Sequence, residues 1–306
     1  MVETSPRARP AVVGRAREVE LLVAALESGA HVLLEGPPGT GKTTLLRAVA
    51  ADAAAAFVFV EGNAELTPAR LVGHFDPAQV LERGYGPATF VDGPLAEALR
   101  SGALLYVEET NRIPEETLNV LITVMSEGEL HIPRLGRIGA APGFRLVAAM
   151  NPFDTVGTAR ISSAIYDRVC RIAMGYQDAP DETAIVGLRA PEVPAEWRAR
   201  VVDLVRLTRG HPGVRVGSSV RGAIDMVGVA VALGRRRALN GHAGKPAGAI
   251  DWRTGLDAAL VALSGRIRLD ESSARTPEDV VRELYESVFG AEPAADDAGG
   301  DAPGGV

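Results

Sequence analysis

The chain has 306 residues, 46% of them apolar and 23% charged, with a formal net charge of −7, a composition that suits a globular protein of two domains with a substantial core. The acidic balance argues against nucleic acid as the main partner, because phosphate binding leans on clustered Lys and Arg. A single cysteine, Cys170, rules out an internal disulfide and reads as a small core hydrophobe. No apolar run approaches the ~18 residues of a membrane span, and no signal-like segment opens the chain, so a cytoplasmic protein is expected.

In chain order, residues 1–10 read as a flexible tail. "REVELLVAALESG" has helical periodicity and a terminal Gly. "HVLLE" (31–35) is a short buried strand that ends at a Gly/Pro-rich loop, and "KTTLLRAVAADAAAA" follows as an Ala-rich helix. "FVFVEG" (57–62) is a second strand. From Leu66 to Gly102 the pattern weakens into turn signals, and "GPLAEALRSG" closes the stretch as a helix. "ALLYVEE" is a third strand, and "PEETLNVLITVMSEG" is a helix with Pro at its start. "ELHIPRLGRIGAAPGFRLVAAMN" turns like a β-hairpin running into a fourth strand, and "DRVCRIAMG" reads as a fifth. Strands alternating with helices predict an α/β fold, a three-layer sandwich with a central parallel sheet whose ligands sit at the carboxyl ends of the strands.

Beyond Gln177 the strand pattern stops. "PAEWRARVVDLVRLTRG", "SSVRGAIDMVGVAVALGRRRALNG", "WRTGLDAALVALSGRIRL" and "TPEDVVRELYESVFG" predict four helices, a small all-α domain. The expected division is a core over 11–177, a helical domain over 178–290 and a low-complexity, disordered tail over 291–306.

Only two of the 32 basic residues are lysines, Lys42 and Lys245. Lys42 stands in "GPPGTGKT" (36–43), a full match to G-x-x-x-x-G-K-[ST] between a strand and a helix. Gly39 and Gly41 let the backbone curl so that N–H groups face phosphate oxygens at a helix N-terminus. Gly36, Pro37, Pro38, Thr40 and Thr44 complete the nucleotide-binding stretch. Lys42 is expected to reach the β- and γ-phosphates of ATP, and the Thr43 hydroxyl to ligate Mg²⁺.

The strand "LLYVE" ends in two acids. Glu108 is expected to hold a water on Mg²⁺ and Glu109 to polarise the attacking water. Adjacent strand residues point to opposite faces, so both reach one site only if the chain turns at the strand end. Glu108 stands where most nucleotide hydrolases of this kind have Asp, which adds one methylene, about 1.5 Å of reach. Asn151, at the end of "RLVAAMNPF", offers a neutral amide to the attacking water or the γ-phosphate; it also reads as an Asn-Pro turn initiator.

These segments resemble the AAA+ ATPases and, within them, the MoxR-like group. The resemblance rests on "VVGR" (12–15), "GPPGTGKTT", "GPL" (93–95), "EETNRIPEETLNVLITVMSEGE", "AAMNPFDTVGT", "SSAIYDRVCRI" and "GSSVRGAIDMVGVAVAL", and covers roughly residues 10–290. It implies that "VVGR", with Val13 and Gly14, packs against adenine. It makes Glu109 the catalytic glutamate and Asn151 the sensor-one residue. Arg168 would be an arginine finger acting on a neighbouring subunit, with Arg160 and Arg171 flanking it as other candidates. Arg221 would be the sensor-two arginine on a helical lid. Residues 66–102 would hold a helix-two insertion and 129–144 a β-hairpin insertion. His74, Phe75 and His131 fall within these insertions and are candidate client contacts or plain loop residues; Asn111 and Arg112 are candidates for relaying ring contacts.

The function expected is a ring-forming, hexameric Mg-ATP hydrolase that remodels or activates a partner protein, one with a von Willebrand factor A-type domain. Two alternatives stand beside it. Glu108 would favour a nucleotide-binding switch with very slow hydrolysis, and the wider superfamily contains DNA-directed ATPases.

Overall fold

The computed structural model describes residues 12–152, 163–239, 250–271 and 273–293. The expected tails, Lys245 and Arg160 lie outside these residues, apart from 291–293. The chain divides into two compact units, Met1–Tyr176 and Gln177–Val306.

The first unit opens with α1 (Ala16–Glu27), β1 (His31–Glu35), α2 (Lys42–Asp52) and β2 (Phe57–Glu61). Helix α2 stops four residues short of the Ala run's end, where Ala54 takes a left-handed φ of 48° as the chain turns into β2. Helical propensity does not extend it, because the strand entrance is fixed by pairing with its neighbour. Next come α3 (Pro68–Val72), β3 (Gly73–Phe75), α4 (Pro77–Arg83), β4 (Phe90–Asp92) and α5 (Pro94–Ser101). Strands β3 and β4 pair antiparallel, and Gly93 N–H donates to the Val72 carbonyl at 2.9 Å. The chain therefore leaves and re-enters at one point, so 73–92 is a closed excursion between α3 and α5.

The unit continues with β5 (Leu104–Glu108), α6 (Glu115–Glu127), the hairpin β6 (Glu129–Ile132) and β7 (Gly136–Gly139), β8 (Arg145–Met150), α7 (Ser163–Tyr166) and β9 (Val169–Ala173). The excursion and the hairpin touch: the Arg134 guanidinium lies over the Tyr85 ring, 4.0 Å from its centroid, and Tyr85 meets Phe75 edge-on at 5.0 Å.

Five strands form one parallel sheet in the order β2-β5-β8-β1-β9. Successive side chains on a strand face opposite ways, and both faces are dry. Leu33, Leu105, Val107, Leu146 and Ala148 join one buried cluster, whereas Val32, Leu34, Leu104, Tyr106, Val147 and Ala149 join another beneath α1 and α2. That accounts for strands that read as unbroken apolar runs. Cys170 corrects the core expectation: β9 is an edge strand, which leaves this residue uncovered, and its thiol is exposed.

The second unit contains α8 (Ala179–Arg189), α9 (Ala195–Gly210), β10 (Val214–Val216), α10 (Val220–Leu239), α11 (Trp252–Leu263), β11 (Arg268–Leu269) and α12 (Pro277–Phe289). Among the described residues it has five helices rather than four. The additional one, α8, is capped by Asp178, whose side chain accepts from Asp181 N–H. The segment "GRIRL" is not the end of a helix. Leu269 pairs with Val214 across a short antiparallel ladder while Ile267 is buried, so long-range pairing overrides the local helical pattern. Helices α8 to α12 share one core built on Val186, Val201, Leu204, Met226, Ala259 and Val281. No described helix is long and apolar enough to cross a membrane.

Candidate functional site: the phosphate loop and the acid strand

Strand β1 ends at Glu35 and α2 begins at Lys42, so residues 36–41 are a loop that feeds directly into a helix N-terminus. Gly41 caps α2 in the left-handed region (φ 87°, ψ 18°), where a residue with a Cβ would be strained. The first N–H groups of the helix, which have no intrahelical acceptor, are thereby turned toward the loop. The Lys42 ammonium is buried and donates to the carbonyls of Gly36 (2.7 Å) and Pro37 (3.0 Å). Thr40 Oγ1 donates to the Pro37 carbonyl at 2.9 Å.

The "VVGR" segment reaches this loop through its arginine. Buried Arg15 donates to the Thr40 carbonyl at 3.2 Å and to the Gly175 carbonyl at 2.6 Å, and pairs with Glu18 at 2.6 Å. The guanidinium thus fastens the loop to the exit of β9. Val13 and Gly14 lie immediately before it, with Gly14 at φ 64°.

On the acid side, Thr43 Oγ1 donates to Glu108 Oε1 at 2.8 Å, joining residues 65 positions apart. Tyr106 OH lies 3.2 Å from the same Thr43 oxygen. Burial, and then the nearby carboxylates of Glu108 and Glu109, push the Tyr106 phenol well above its ordinary value, so it stays protonated. Glu109 leaves the strand alternation: at φ 51°, ψ 41° it is left-handed and starts a 3-10 turn over 110–112. A non-glycine residue in this conformation is costly, by about 1–3 kcal/mol, and persists only where its surroundings hold it. Gly62 does part of the holding. Its N–H donates to the Glu108 carbonyl at 2.8 Å, and a Cβ there would stand 2.5 Å from the Glu109 carbonyl oxygen. The Glu109 carboxylate pairs with Arg112 Nε at 3.3 Å, but its buried Oε2 completes no hydrogen bond.

The strand order places β8 between β5 and β1, so Asn151, the residue after β8, stands between the acids and the phosphate loop in the sheet. Asn111 Nδ2 donates to the Asn151 carbonyl at 3.4 Å, tying the acid turn to that position. The buried Asn111 Oδ1 has no hydrogen-bond partner.

The arginines are placed differently. Arg168 is exposed between α7 and β9, hydrogen-bonded to Ser126 Oγ and, at 2.8 Å, to the Ala164 carbonyl. Arg171 is ion-paired with Glu35, a nearly buried acid at the end of β1, and that carboxylate holds the guanidinium above its ordinary pKa. Arg221 is exposed on the first turn of α10, in the second unit.

Thr43 and Glu108 supply an alcohol and a carboxylate side by side. Among the described residues no group of three or more His, Cys, Asp or Glu could hold a metal. This sparse, all-oxygen set fits Mg²⁺, which keeps several waters and relies on substrate phosphates as ligands, and does not fit a metal that needs a protein cage.

The fold and this site define the class: a P-loop nucleotide-binding domain. Residues 31–169 match the model of the "AAA domain (dynein-related subfamily)". Among curated proteins, the chain is similar to the gas vesicle ATPase GvpN of Haloferax mediterranei, 30% identical over 209 residues that make up 63% of this chain and 60% of the relative. It is also similar to the uncharacterized protein YeaC of Bacillus subtilis, 28% identical over 249 residues, 72% of this chain and 74% of that protein. The similarity thus spans only about 60% of the length of gas vesicle ATPases such as that from Haloferax. In fold the chain is similar to RuvB, the Holliday junction branch migration motor of Thermotoga maritima, with a TM-score of 0.51, 18% identity, and coverage of 81% of this chain and 70% of that one.

Three participants went unassigned in the sequence. Tyr106 lies two residues before Glu108 and so shares its face, but an aromatic in an apolar strand reads as core. Arg15 is one of many arginines, marked only by its place after a glycine. Glu35 shows a trace, being an acid at the end of a buried strand.

Proposed function

We propose that the chain is a ring-forming ATPase of the MoxR-like kind that hydrolyses Mg-ATP to remodel or activate a partner protein, the partner class being one with a von Willebrand factor A-type domain. The carrying observation is the 2.8 Å contact between Thr43 of the phosphate loop and Glu108 of the acid strand, with Glu109 turned out of the strand beside it.

The roles follow from the chemistry of the side chains. Loop N–H groups and Lys42 bind the phosphates; Lys42 exchanges its loop carbonyls for phosphate oxygens. Thr43 and Glu108 would hold Mg²⁺, which supplies charge neutralisation at the β- and γ-phosphates. Glu109 accepts the proton of the attacking water, and Asn151 orients that water. Arg168 acts on a neighbouring subunit's nucleotide. Both arginines are exposed, and what supports Arg168 over Arg171 is that the Arg171 guanidinium is committed to Glu35. Arg221 reads the nucleotide from the helical unit.

A second reading, a slow switch, draws on the Glu109–Arg112 pair, which sets a guanidinium against the carboxylate that would take the water's proton. Steady-state phosphate release across protein concentration separates the two. Turnover that climbs with concentration and disappears in Glu109→Gln supports the motor. ATP binding without turnover, with hydrolysis appearing in Glu108→Asp, selects the switch.

A further inference from the structure

We propose that Tyr106 is a positioning residue on the metal side of the site, its phenol hydroxyl fixing the Thr43 hydroxyl that Mg²⁺ would take as a ligand. The proposal rests on the nucleotide-hydrolysis reading and extends it to a residue outside the phosphate loop and the acid pair.

A threonine hydroxyl has one proton and two lone pairs. Either oxygen can donate in the 3.2 Å contact between Thr43 and Tyr106; with the Thr43 proton directed to Glu108 at 2.8 Å, the phenol is the donor and Thr43 offers it one lone pair. One lone pair remains, and its direction is set by the other two partners. A threonine without them would rotate about its Cα–Cβ bond and present that lone pair in several directions. Tyr106 and Glu108 together therefore select the rotamer in which the hydroxyl is ready to ligate.

The ring itself cannot wander. Tyr106 is fully buried in the middle of a central strand, with Phe57 and Phe59 rings 6.0 and 5.7 Å away. Packing alone would be served equally well by phenylalanine, and a buried phenol loses its water. What distinguishes tyrosine here is the hydroxyl, and the hydroxyl lies against Thr43 and the Glu108 carboxylate to which Thr43 donates.

The test measures binding of a fluorescent ATP analogue with and without Mg²⁺ in wild type, Tyr106→Phe, Thr43→Ala and the double variant, using the full chain. Melting curves of Tyr106→Phe, which keeps the ring, establish that the variant is folded. The expected result is unchanged Mg²⁺-free binding in Tyr106→Phe, with the Mg²⁺-dependent gain in affinity reduced about fivefold, the usual scale for one hydrogen bond. In the Thr43→Ala background, Tyr106→Phe should cost nothing further, because the group it positions is gone. An undiminished Mg²⁺ gain in Tyr106→Phe overturns the inference. So does an equal loss in both backgrounds, or an equal loss with and without Mg²⁺, each of which would mark a packing role. If wild type itself binds no nucleotide, the hydrolase reading fails and this inference fails with it; if wild type shows the Mg²⁺ gain and Tyr106→Phe keeps it, only this inference fails.

Discussion

The Lys42 ammonium rests on two loop carbonyls at 2.7 and 3.0 Å, so on the proposed reading nucleotide binding would exchange one set of acceptors for another. An ionised donor gains more from phosphate oxygens than from neutral carbonyls, and the exchange should be strongly favourable. Saturating ATP should therefore raise the melting temperature of the wild type, since a ligand at 100 times its Kd contributes about 2.7 kcal/mol. In Lys42→Met that shift should vanish while the unliganded melt stays close to wild type; a preserved shift would remove Lys42 from the site. This residue was legible because glycines, lysine and threonine at fixed spacing have few other uses. Tyr106 and Arg15 were not, because their roles depend on where β5 and the loop come to lie, and nothing local marks a phenol or a guanidinium as facing a distant threonine or carbonyl. Glu109 is intermediate: its type and place were plain, whereas its left-handed backbone depends on the close approach of Gly62.

At the scale of elements, the five sheet strands and the long helices announce themselves through period and caps, and the short ones do not. Strands β3, β4, β10 and β11 have two or three residues each, too few to show alternation, and β10 and β11 exist only because 214 and 269 meet in space. Helix α8 had a readable start in Asp178 and Pro180 but little apolar periodicity to follow it. Thr276 caps α12 in a reciprocal box with Asp279, and Thr276→Ala should destabilise the helical unit by about 1 kcal/mol in chemical denaturation. His31 opens β1, and its Nδ1 accepts from Leu146 N–H at 3.0 Å, so the fold requires a neutral imidazole nitrogen. Burial, and then Arg145, lower its pKa below 6.5. Between that lowered value and about 6.5 the unfolded chain binds more protons than the folded one, so stability falls as pH drops through this window and is restored above it. His31→Asn keeps an acceptor but does not titrate. Wild type should lose more melting temperature than this variant between about pH 7.5 and about pH 5.5, and equal losses would dismiss the linkage.

At the scale of the whole molecule, each unit has its own core, and among the described residues the exposed arginine at 168 makes two surface hydrogen bonds within its own chain. On the proposed reading, a finger that works in trans would make activity a property of the interface between subunits. An arginine of this kind is worth ~10³–10⁵ in rate, so Arg168→Ala should be nearly silent, as should Glu109→Gln. The informative experiment mixes the two. In a mixed ring, an Arg168→Ala subunit keeps an intact Glu109 and can receive Arg168 from a Glu109→Gln neighbour. For random assembly at equal amounts, roughly a quarter of interfaces pair an intact site with an intact finger. Phosphate release from the mixture should therefore recover to roughly that fraction of wild type, provided the subunits exchange or are co-expressed. A finger acting within its own chain predicts no recovery at any ratio, because every subunit would still lack one of the two groups. Repeating the mixture with Arg171→Ala in place of Arg168→Ala separates the neighbouring arginines. Loss of the Glu35 partner should lower stability in that variant, but it keeps Glu109 and Arg168 and should hydrolyse ATP on its own, so Glu109→Gln subunits only dilute its activity.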